Sequence, residues 1–307
     1  MSRPAWIAPE ADAVAAAHAQ TGMAVAPEQI SLMARDDRFA VLLPGDRIAW
    51  FAQNAAGAAR MDRERRVLAL IARHCSFAAP RVIDATESWD LRTFIPGHFA
   101  PFLVFERAKA DGAFANALGA SIGRVLADQH LNVPRDAVRA WLPREPSWPE
   151  PLSYMESRLP RVTDDADLIR RALDFVWRYE AAETQSAERV LAHCDFGFHN
   201  IVVDDARGEV VGVFDYDGAA YVDRDHDFKY LLLDAEGDET LLRAAMNAYT
   251  SAGGAAIDRQ RLYEINAASA VCFLAYRDGA QADEKPAGRT LSEDLAWMRM
   301  ALTRAGA

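Results

Sequence analysis

The sequence has 307 residues, of which 51% are hydrophobic and 26% are charged, and its formal net charge is −11. This length and apolar content suffice for a sizeable core in one large domain or two small ones, and they exclude a disordered chain. The acidic balance provides no basic surface for nucleic acid or anionic lipid, whereas it suits a cationic or neutral small-molecule substrate.

Cysteine use and hydropathy indicate the compartment. Cys75, Cys194 and Cys272 are widely spaced and form no CxxC pair, which indicates neither a zinc site nor a disulfide framework and favours a reducing compartment. Glu10 and Asp12 interrupt the stretch that a signal peptide would keep apolar, and no apolar run is long enough to span a bilayer. We expect a cytoplasmic protein without membrane or nucleic-acid partners, and the sequence leaves the oligomeric state open.

The first third of the chain predicts a small sheet that carries one helix. After a short helical stretch near residues 10–20, antiparallel strands are predicted for QISLMAR, RFAVLLP and RIAWFAQ, which turn-forming residues separate. The segment RMDRERRVLALIARH predicts an amphipathic helix, because its charges lie opposite apolar residues at helical spacing, namely Val67, Leu68, Leu70 and Ile71. Three further strands are predicted for PRVIDAT, LRTFIP and FLVFERA, the last ending near Glu106.

The remainder of the chain is predicted to be mainly helical. ANALGASIGRVLADQHL and DLIRRALDFVWRYEAAE are helical by period, and the proline-rich WLPREPSWPEPL between them predicts a connector. One break in the helical pattern follows at LAHCDFGFHNIVVDDARGEVVGVFDYDG, where IVV and VVGVF flank the turn-rich DDARGE and predict a β-hairpin. Helices are predicted from there to the end.

The hairpin brings polar residues together. The residue before the first strand of an antiparallel hairpin lies beside the residue after its second strand, so Asn200 and Asp215 are expected to be adjacent. An amide oxygen and a carboxylate are a sufficient protein contribution to a Mg²⁺ ion that also binds the phosphates of a nucleotide. Asp195, five residues before Asn200, is then expected to face the attack position as the base that accepts a hydroxyl proton.

The segment HCDFGFHN fits the kinase catalytic loop H-R-D-x-x-x-x-N, with Cys194 in place of the arginine. With its hairpin and FDY, it resembles the aminoglycoside phosphotransferase and choline kinase-like superfamily, whose common form is H-G-D-x-x-x-x-N, a hairpin, then I-D-W or F-D-Y. The resemblance implies an α+β, bilobal protein-kinase-like fold with a small antiparallel sheet lobe and a larger, mainly helical lobe. We place the nucleotide-binding lobe at residues 1–107 and the catalytic and substrate lobe at residues 108–307.

The resemblance also implies residue roles. Asp195 is the catalytic base, and Asn200 and Asp215 are the Mg²⁺ ligands that serve ATP or GTP. Glu64, within RMDRERRVLAL, is the helix glutamate of the small lobe. The function implied is transfer of the γ-phosphate to a hydroxyl of a small molecule.

Two further stretches resemble parts of the same superfamily. FLVFERAKADG resembles the hinge whose backbone holds the adenine, with Glu106 and Ala108 as contact positions. YVDRDHDFKYL resembles G-D-P-x-x-D-L-A, which makes Asp227 a structural carboxylate that braces the catalytic loop. His193 is interpreted as a hydrogen-bonding brace of that loop rather than as a base.

The sequence departs from the superfamily on the nucleotide side. No lysine precedes Lys109, so the lysine that grips the phosphates is missing, and Phe51 stands at about its place in the third strand. Arg47, Arg60 or Arg63 would then have to substitute for it. The loop ARDDRF also lacks the small residues that let a backbone approach phosphates closely.

Two alternatives belong to other functional classes. VVGVFDYDG resembles the D-x-D-G motif of haloacid-dehalogenase-like phosphatases, with Asp215 as nucleophile and Asp217 as acid, although that motif normally stands early in its chain. The second alternative is a kinase-like protein that binds a small molecule without turning it over, which the missing lysine favours.

The acceptor stays open between aminoglycosides, choline-like alcohols, sugars and amino-acid alcohols. Acidic residues could suit an amine-bearing acceptor, or they could be solvated; they are Asp223, Asp225, Asp227, Asp234, Glu236 and Glu239. The run from Asp223 to Asp227 could also be read as a metal cluster, but a negatively charged loop with one structural member is the preferred interpretation.

Overall fold

The computed structural model describes residues 32–34, 37–95, 97, 100–182, 188–232, 238–278 and 289–307, together with positions 19 and 22. The helix expected near residues 10–20 lies outside these ranges, apart from the single helical position 19.

Nine strands are described. They are β1 (Leu32–Ala34), β2 (Arg38–Leu43), β3 (Arg47–Ala52), β4 (Val82–Ala85), β5 (Trp89–Thr93), β6 (Arg189–Ala192), β7 (Ile201–Asp204), β8 (Glu209–Val213) and β9 (Ala220–Asp223). β1 to β5 form an antiparallel sheet in the order β1-β2-β3-β5-β4, and two ribbons pair β6 with β9 and β7 with β8. The predicted hairpin is therefore confirmed.

The described helices are α1 (Ala55–His74), α2 (Pro101–Ala110), α3 (Gly112–Asn132), α4 (Arg135–Val138), α5 (Leu152–Val162), α6 (Ala166–Ala181), α7 (Thr240–Ser251), α8 (Arg259–Tyr276) and α9 (Leu291–Arg304). Short 3-10 turns cover Phe198–Asn200, Tyr216–Gly218 and Arg224–Leu231. No helix among the described residues is both long enough and apolar enough to cross a bilayer.

The chain divides into two compact units. The first takes the chain up to His98 together with Val211–Asp217, and the second takes Phe99–Val210 and Gly218–Ala307. The return segment joins the first unit because Ala78 bridges to Gly212 and accepts the backbone N–H of Val213 at 2.9 Å. The division at His98 precedes the lobe boundary that we predicted after residue 107.

In the first unit, α1 packs on one face of the five-stranded sheet. Pairing partners share a face, so the register of β2, β3 and β5 places Arg38 with Ala52, Trp50 with Asp90, and Ile48 with Arg92. Trp50, Ala52 and Met61 of α1 belong to one buried cluster, which identifies this face as the one that α1 covers.

The start of α1 is fixed by local chemistry. The Asn54 side chain accepts the backbone N–H of Gly57 at 3.0 Å and caps the helix. Gly57 approaches β2 so closely that a Cβ there would lie 2.0 Å from the carbonyl oxygen of Asp37, and no other residue fits without a backbone shift. These two contacts hold the first turn of α1 against the sheet.

The second unit is built on tight helix packing. α3 and α7 contact each other closely at Gly119 and Gly123, where an added Cβ would lie 2.3 Å from the carbonyl oxygen of Leu241 and 2.1 Å from that of Ala245. A separate core joins α5, α6, α8 and α9 around Met155, and it contains the buried Cys272. The helices predicted within residues 113–182 and the connector before Leu152 are confirmed.

The strand predicted for FLVFERA is wrong, because this stretch is part of the helix α2. Pro101 stands at the start of the helix, where its fixed φ and missing N–H are tolerated. Val104 and Ala108 are buried one turn apart, whereas Phe102 and Leu103 are exposed. The apolar run is therefore one side of a helix rather than a buried strand, and α2 packs against α3 in the second unit.

Candidate active site

The loop after β6 has an unusual backbone at its second residue. Cys194 has a φ of +66°, in the left-handed region that L side chains rarely adopt. This conformation explains why a glycine at this position suits the form H-G-D that the segment resembles. The Cys194 side chain is buried and burial raises its pKa, so it fills space rather than acting as a nucleophile.

Asp195 follows and is held by the other end of the same loop. Asn200 Nδ2 donates to the Asp195 backbone oxygen at 2.8 Å and to Asp195 Oδ2 at 2.9 Å, and His199 Nε2 lies 3.2 Å from the same carboxylate oxygen. Burial by itself raises the pKa of Asp195, but the hydrogen bond and charge of His199 outweigh it and lower the pKa well below the usual range. Asp195 is therefore a carboxylate at neutral pH.

The orientation of the Asn200 side chain suits a metal ligand. Its amide nitrogen is engaged by Asp195, so the amide oxygen is the atom that remains to coordinate a cation. Oxygen is the donor that Mg²⁺ prefers. The residue thus fits the role that the sequence predicts for it.

Asp227 braces the loop from behind. Its buried carboxylate accepts the backbone N–H of His193 at 2.9 Å and that of Cys194 at 2.7 Å, and it lies 2.9 Å from His130 Nε2. Burial raises the pKa of Asp227, but the hydrogen bonds and charges of His130 and His193 lower it below its ordinary value. The contacts are those expected of the structural carboxylate predicted at this position.

A second layer supports this brace. Tyr249 and His130 are joined at 3.1 Å between the hydroxyl and Nδ1, which fixes the imidazole beside Asp227. Lys229 Nζ donates to the backbone oxygens of Cys194 at 2.5 Å and Trp148 at 3.3 Å. Burial lowers the pKa of Lys229, and its ammonium group links the loop to the proline-rich connector.

Asp215 belongs to the first unit and Asn200 to the second. Asp215 has a φ of +60°, a conformation that aspartate tolerates better than most residues, and it lies two residues after the end of β8. Sharing of one cation by Asn200 and Asp215 stays a prediction.

Glu64 of α1 is buried and takes part in an ion-pair network on the sheet. Its carboxylate lies 2.7 Å from Arg92 Nη1, and Arg92 also forms two hydrogen bonds of 2.8 and 2.9 Å with Asp90. Burial lowers the pKa of Arg92, but the two carboxylates outweigh that effect and raise it. The buried partner of Glu64 is therefore an arginine of β5.

A second ion-pair network joins β2 to the segment after the hairpin. Arg38 Nη1 donates to Asp217 Oδ1 at 2.9 Å, and its Nη2 lies 2.8 Å from Asp217 Oδ2. Arg60 Nε lies 3.5 Å from the same carboxylate, and Arg63 Nη2 donates to the Asp217 backbone oxygen at 3.3 Å. Burial lowers the pKa of Arg38, but Asp217 and the nearby charges of Glu64 and Asp215 raise it.

Phe51 is not on the face that carries these charges. Its ring stacks on Phe39 with centroids 5.2 Å apart and on Trp89 at 6.5 Å, on the side of the sheet away from α1. The adjacent Ala52, opposite Arg38, faces α1 instead. A lysine at position 51 would therefore point away from these charges, and one at position 52 would point towards them.

Glu106 and Ala108 lie on α2, Glu106 exposed and Ala108 buried. Backbone groups within an α-helix are engaged four residues apart, so these positions lack the extended backbone of a hinge. Their contact with adenine stays a prediction that the helix does not favour.

The acidic run after β9 is buried rather than solvated. Asp223, Asp225 and Asp227 are all buried, and burial raises the pKa of Asp225 to about 7. The part of the chain that the structure describes contains no group of three or more His, Cys, Asp or Glu side chains placed to hold a metal. Asp234 and Glu236 lie outside the described residues, and Glu239 pairs with Arg259 and Tyr263.

The sequence profile of APH, the phosphotransferase enzyme family, matches residues 28–265. The chain belongs to this APH family. No curated protein matches it at a significant level. Family membership agrees with the catalytic-loop pattern and decides against the haloacid-dehalogenase-like reading of FDYDG.

Solved structures share the fold of this APH-family chain. Macrolide 2'-phosphotransferase MphH from Brachybacterium faecium is 18% identical with a TM-score of 0.60, over 94% of this chain and 96% of that one. The GDP complex of aminoglycoside 2'-phosphotransferase-IIIa is 18% identical with a TM-score of 0.64, over 94% and 96%. ADP-bound aminoglycoside phosphotransferase APH(2'')-Ib is 14% identical with a TM-score of 0.64, over 96% and 99%. At these identities the likeness establishes the bilobal kinase-like fold alone.

Four residues that take part in these contacts are not predicted from the sequence. Arg38, Arg92, His130 and Lys229 are all buried and all contact charged groups or the catalytic loop. A signal existed for the two arginines, because a charged residue on the helix-facing side of a short apolar strand needs a buried partner. The sequence did not indicate that His130 and Lys229 are buried, since a histidine in a helix and a lysine in a turn are usually exposed polar residues.

Proposed function

We propose that this chain transfers the γ-phosphate of ATP or GTP to a hydroxyl group of a small molecule. Asp195 orients the acceptor and takes its proton, while the hydroxyl oxygen forms the bond to phosphorus and the nucleoside diphosphate leaves. Asn200 and Asp215 would hold a Mg²⁺ ion on the nucleotide. Membership of a phosphotransferase family supports this reaction type.

The arrangement around Asp195 carries the proposal. Its carboxylate is ionised at neutral pH, fixed by Asn200 and His199, and stands on a loop whose backbone N–H groups are anchored on Asp227. A positioned carboxylate that accepts a proton contributes about 10²- to 10⁴-fold to rate. A binding protein without turnover has no need of such a braced base.

The residues fit a divalent cation on the nucleotide. Asn200 would present its amide oxygen and Asp215 its carboxylate, which are hard oxygen ligands. When bound, Mg²⁺ neutralises charge on the phosphates during transfer. Lys229 and Asp227 keep the loop that carries Asn200 in place.

The acceptor that we propose is an aminoglycoside-like, choline-like or related alcohol. The structurally similar proteins are named as aminoglycoside and macrolide phosphotransferases. The acidic net charge is compatible with a cationic acceptor.

The test is a screen of such alcohols for acceptor-dependent release of ADP or GDP in the presence of Mg²⁺. Stoichiometric appearance of a phosphorylated acceptor is the expected result. Nucleotide binding without release for any acceptor would support the second candidate, a catalytically silent kinase-like binding protein. The absence of a lysine before Lys109 is the observation that favours this second candidate.

A further inference from the structure

Three guanidinium groups converge on the carboxylate end of one residue in the first unit. Arg38 forms a fork with both carboxylate oxygens of Asp217 at 2.8 and 2.9 Å. Arg60 Nε and Arg63 Nη2 lie 3.5 and 3.9 Å from Asp217 Oδ1. We call Arg38, Arg60 and Arg63 the arginine cluster.

The arginine cluster contains two hydrogen-bond donors without an acceptor. The Nε atoms of Arg38 and Arg63 are buried and have no hydrogen-bond partner among the described residues. The Arg38 side chain is 1% exposed and Asp217 is 8% exposed, whereas Arg60 and Arg63 are 42% and 30% exposed. Arg60 also pairs with Asp37, since its Nη1 donates to Asp37 Oδ2 at 3.0 Å. These two carboxylates still leave the two buried Nε–H donors without an acceptor, which is unfavourable.

The arginine cluster lies on the face of the sheet where a phosphate-binding lysine would be expected. Arg38 on β2 pairs with Ala52 on β3, on the face that also carries Arg92 and its partner Glu64. Asp217 stands two residues after Asp215, the predicted metal ligand. A cation at Arg38 therefore lies beside the helix glutamate and near the predicted metal ligand, although it comes from a different strand.

We propose that the arginine cluster is the phosphate-binding site of this chain, and that Asp217 occupies it in the absence of nucleotide. A carboxylate and a phosphate present equivalent oxygen pairs to a guanidinium fork, so one can replace the other. Phosphate oxygens displace the Asp217 carboxylate and also accept the unused Nε–H groups. This inference rests on the proposed function, since it assigns the nucleotide phosphates to residues of that site.

The proposal predicts opposite effects for the two sides of the ion pair. Arg38→Met removes the fork and weakens binding of ATP by about tenfold or more, because a hydrogen bond to a charged group is lost. Asp217→Asn removes the internal competitor and tightens ATP binding by about threefold to tenfold, because the binding-competent fraction rises. A metal-ligand role for Asp217 requires the reverse sign.

The experiment measures dissociation constants for ATP with Mg²⁺ and for inorganic tripolyphosphate without metal, by isothermal titration calorimetry on the full chain. The variants are Arg38→Met, Arg60→Ala combined with Arg63→Ala, and Asp217→Asn. The double variant is expected to weaken both ligands by about threefold to tenfold, as it removes partly exposed charges. Arg73→Ala is the matched control, since it removes an exposed arginine from the last turn of the same helix and is expected to change neither constant.

Unchanged or weaker binding by Asp217→Asn, or unchanged binding by the double variant, overturns the proposal. If Arg38→Met fails to fold, these two variants decide alone. If the wild-type chain transfers phosphate and none of the substitutions changes the dissociation constants, this inference is overturned and the proposed function stays intact. If the variants bind tripolyphosphate with the expected order of affinities but the wild-type chain phosphorylates no acceptor, the proposed function is overturned instead.

Discussion

The catalytic loop and the α1-facing side of the sheet hold their charged groups in different ways. On the loop, the partners of Asp195 are four and five residues away in sequence, and its backbone is anchored on Asp227. On the sheet, Arg38 and its partner Asp217 are 179 residues apart. The side-chain contacts of Asp195 are therefore local in sequence, whereas the sheet face is assembled from distant parts of the chain.

This difference explains which chemistry a sequence reveals. A local loop needs each side chain at a fixed spacing, so the spacing in HCDFGFHN is enough to indicate a kinase-type catalytic loop. A sheet face needs only a cation near a given point, and any strand that crosses the point can supply it. Here β2 and β5 supply arginines where β3 carries Ala52.

Asp195→Asn tests the loop with the largest expected effect. The turnover number should fall by about 10²- to 10⁴-fold, because the asparagine amide cannot take the proton from the hydroxyl group of the substrate. Nucleotide affinity should stay close to that of the wild type, since the substitution leaves Asn200 and the sheet intact. Steady-state kinetics and calorimetry separate the two quantities, and a variant with most of its activity would remove Asp195 from the role of base.

Asp227→Ala tests whether the loop depends on its brace. The free energy of unfolding should fall by about 3–5 kcal/mol, because the variant leaves the buried N–H groups of His193 and Cys194 without an acceptor and removes one of the two partners of His130. Urea denaturation measures the change. Asp136→Ala is the control, since its exposed ion pair should contribute less than about 1 kcal/mol. Equal stability of the two variants would contradict the bracing role.

Much of the fold could be predicted from local patterns, and the exceptions have physical causes. The hairpin, α1, α3 and α6 carry clear turn signals or helical periods. FLVFERA does not, because a short apolar run fits a strand and a buried helix side equally well. The proline at position 101 and the burial of Val104 and Ala108 one turn apart decide for a helix.

The predictions for the candidate site also succeeded in one part and failed in another. The roles expected of His193 and Asp227 come from the family resemblance of two short stretches of sequence, and their contacts agree with those roles. The nucleotide-side cation could not be placed, because an error of one residue moves a strand side chain to the opposite face. Phe51 and Ala52 differ in this way, and neither points to Arg38 or Arg92 in the sequence.

Asp225→Asn tests a buried carboxyl of the second unit through pH. Burial, together with the charges of Asp223 and Asp258, raises the pKa of Asp225 to about 7 from 3.8, despite Arg224 and Arg261. A raised folded-state pKa means that stability is complete below the unfolded pKa and is lost as the pH rises through the folded value. Wild-type stability should therefore fall between pH 4 and 7, by at most about 1.4 kcal/mol for each pH unit.

The Asp225→Asn variant cannot titrate at this position. Its free energy of unfolding should match that of the wild type near pH 4 and exceed it at pH 8, where the wild type buries a charged carboxylate. Urea denaturation across this pH range measures both curves. Parallel curves would show that Asp225 does not cause the slope.

Glu64→Gln tests the sheet face with the smallest expected effect. Asp90 continues to neutralise Arg92 through two hydrogen bonds, and the glutamine oxygen still accepts from Arg92, so the free energy of unfolding should fall by only about 1 kcal/mol. Asp90→Asn is the matched variant and should be more destabilising, because the Asp90 carboxylate accepts two hydrogen bonds from Arg92. If Glu64→Gln were the more damaging of the two, Arg92 would depend on α1 rather than on its own strand. Arg92 would then resemble Arg38, whose partner Asp217 is distant in sequence.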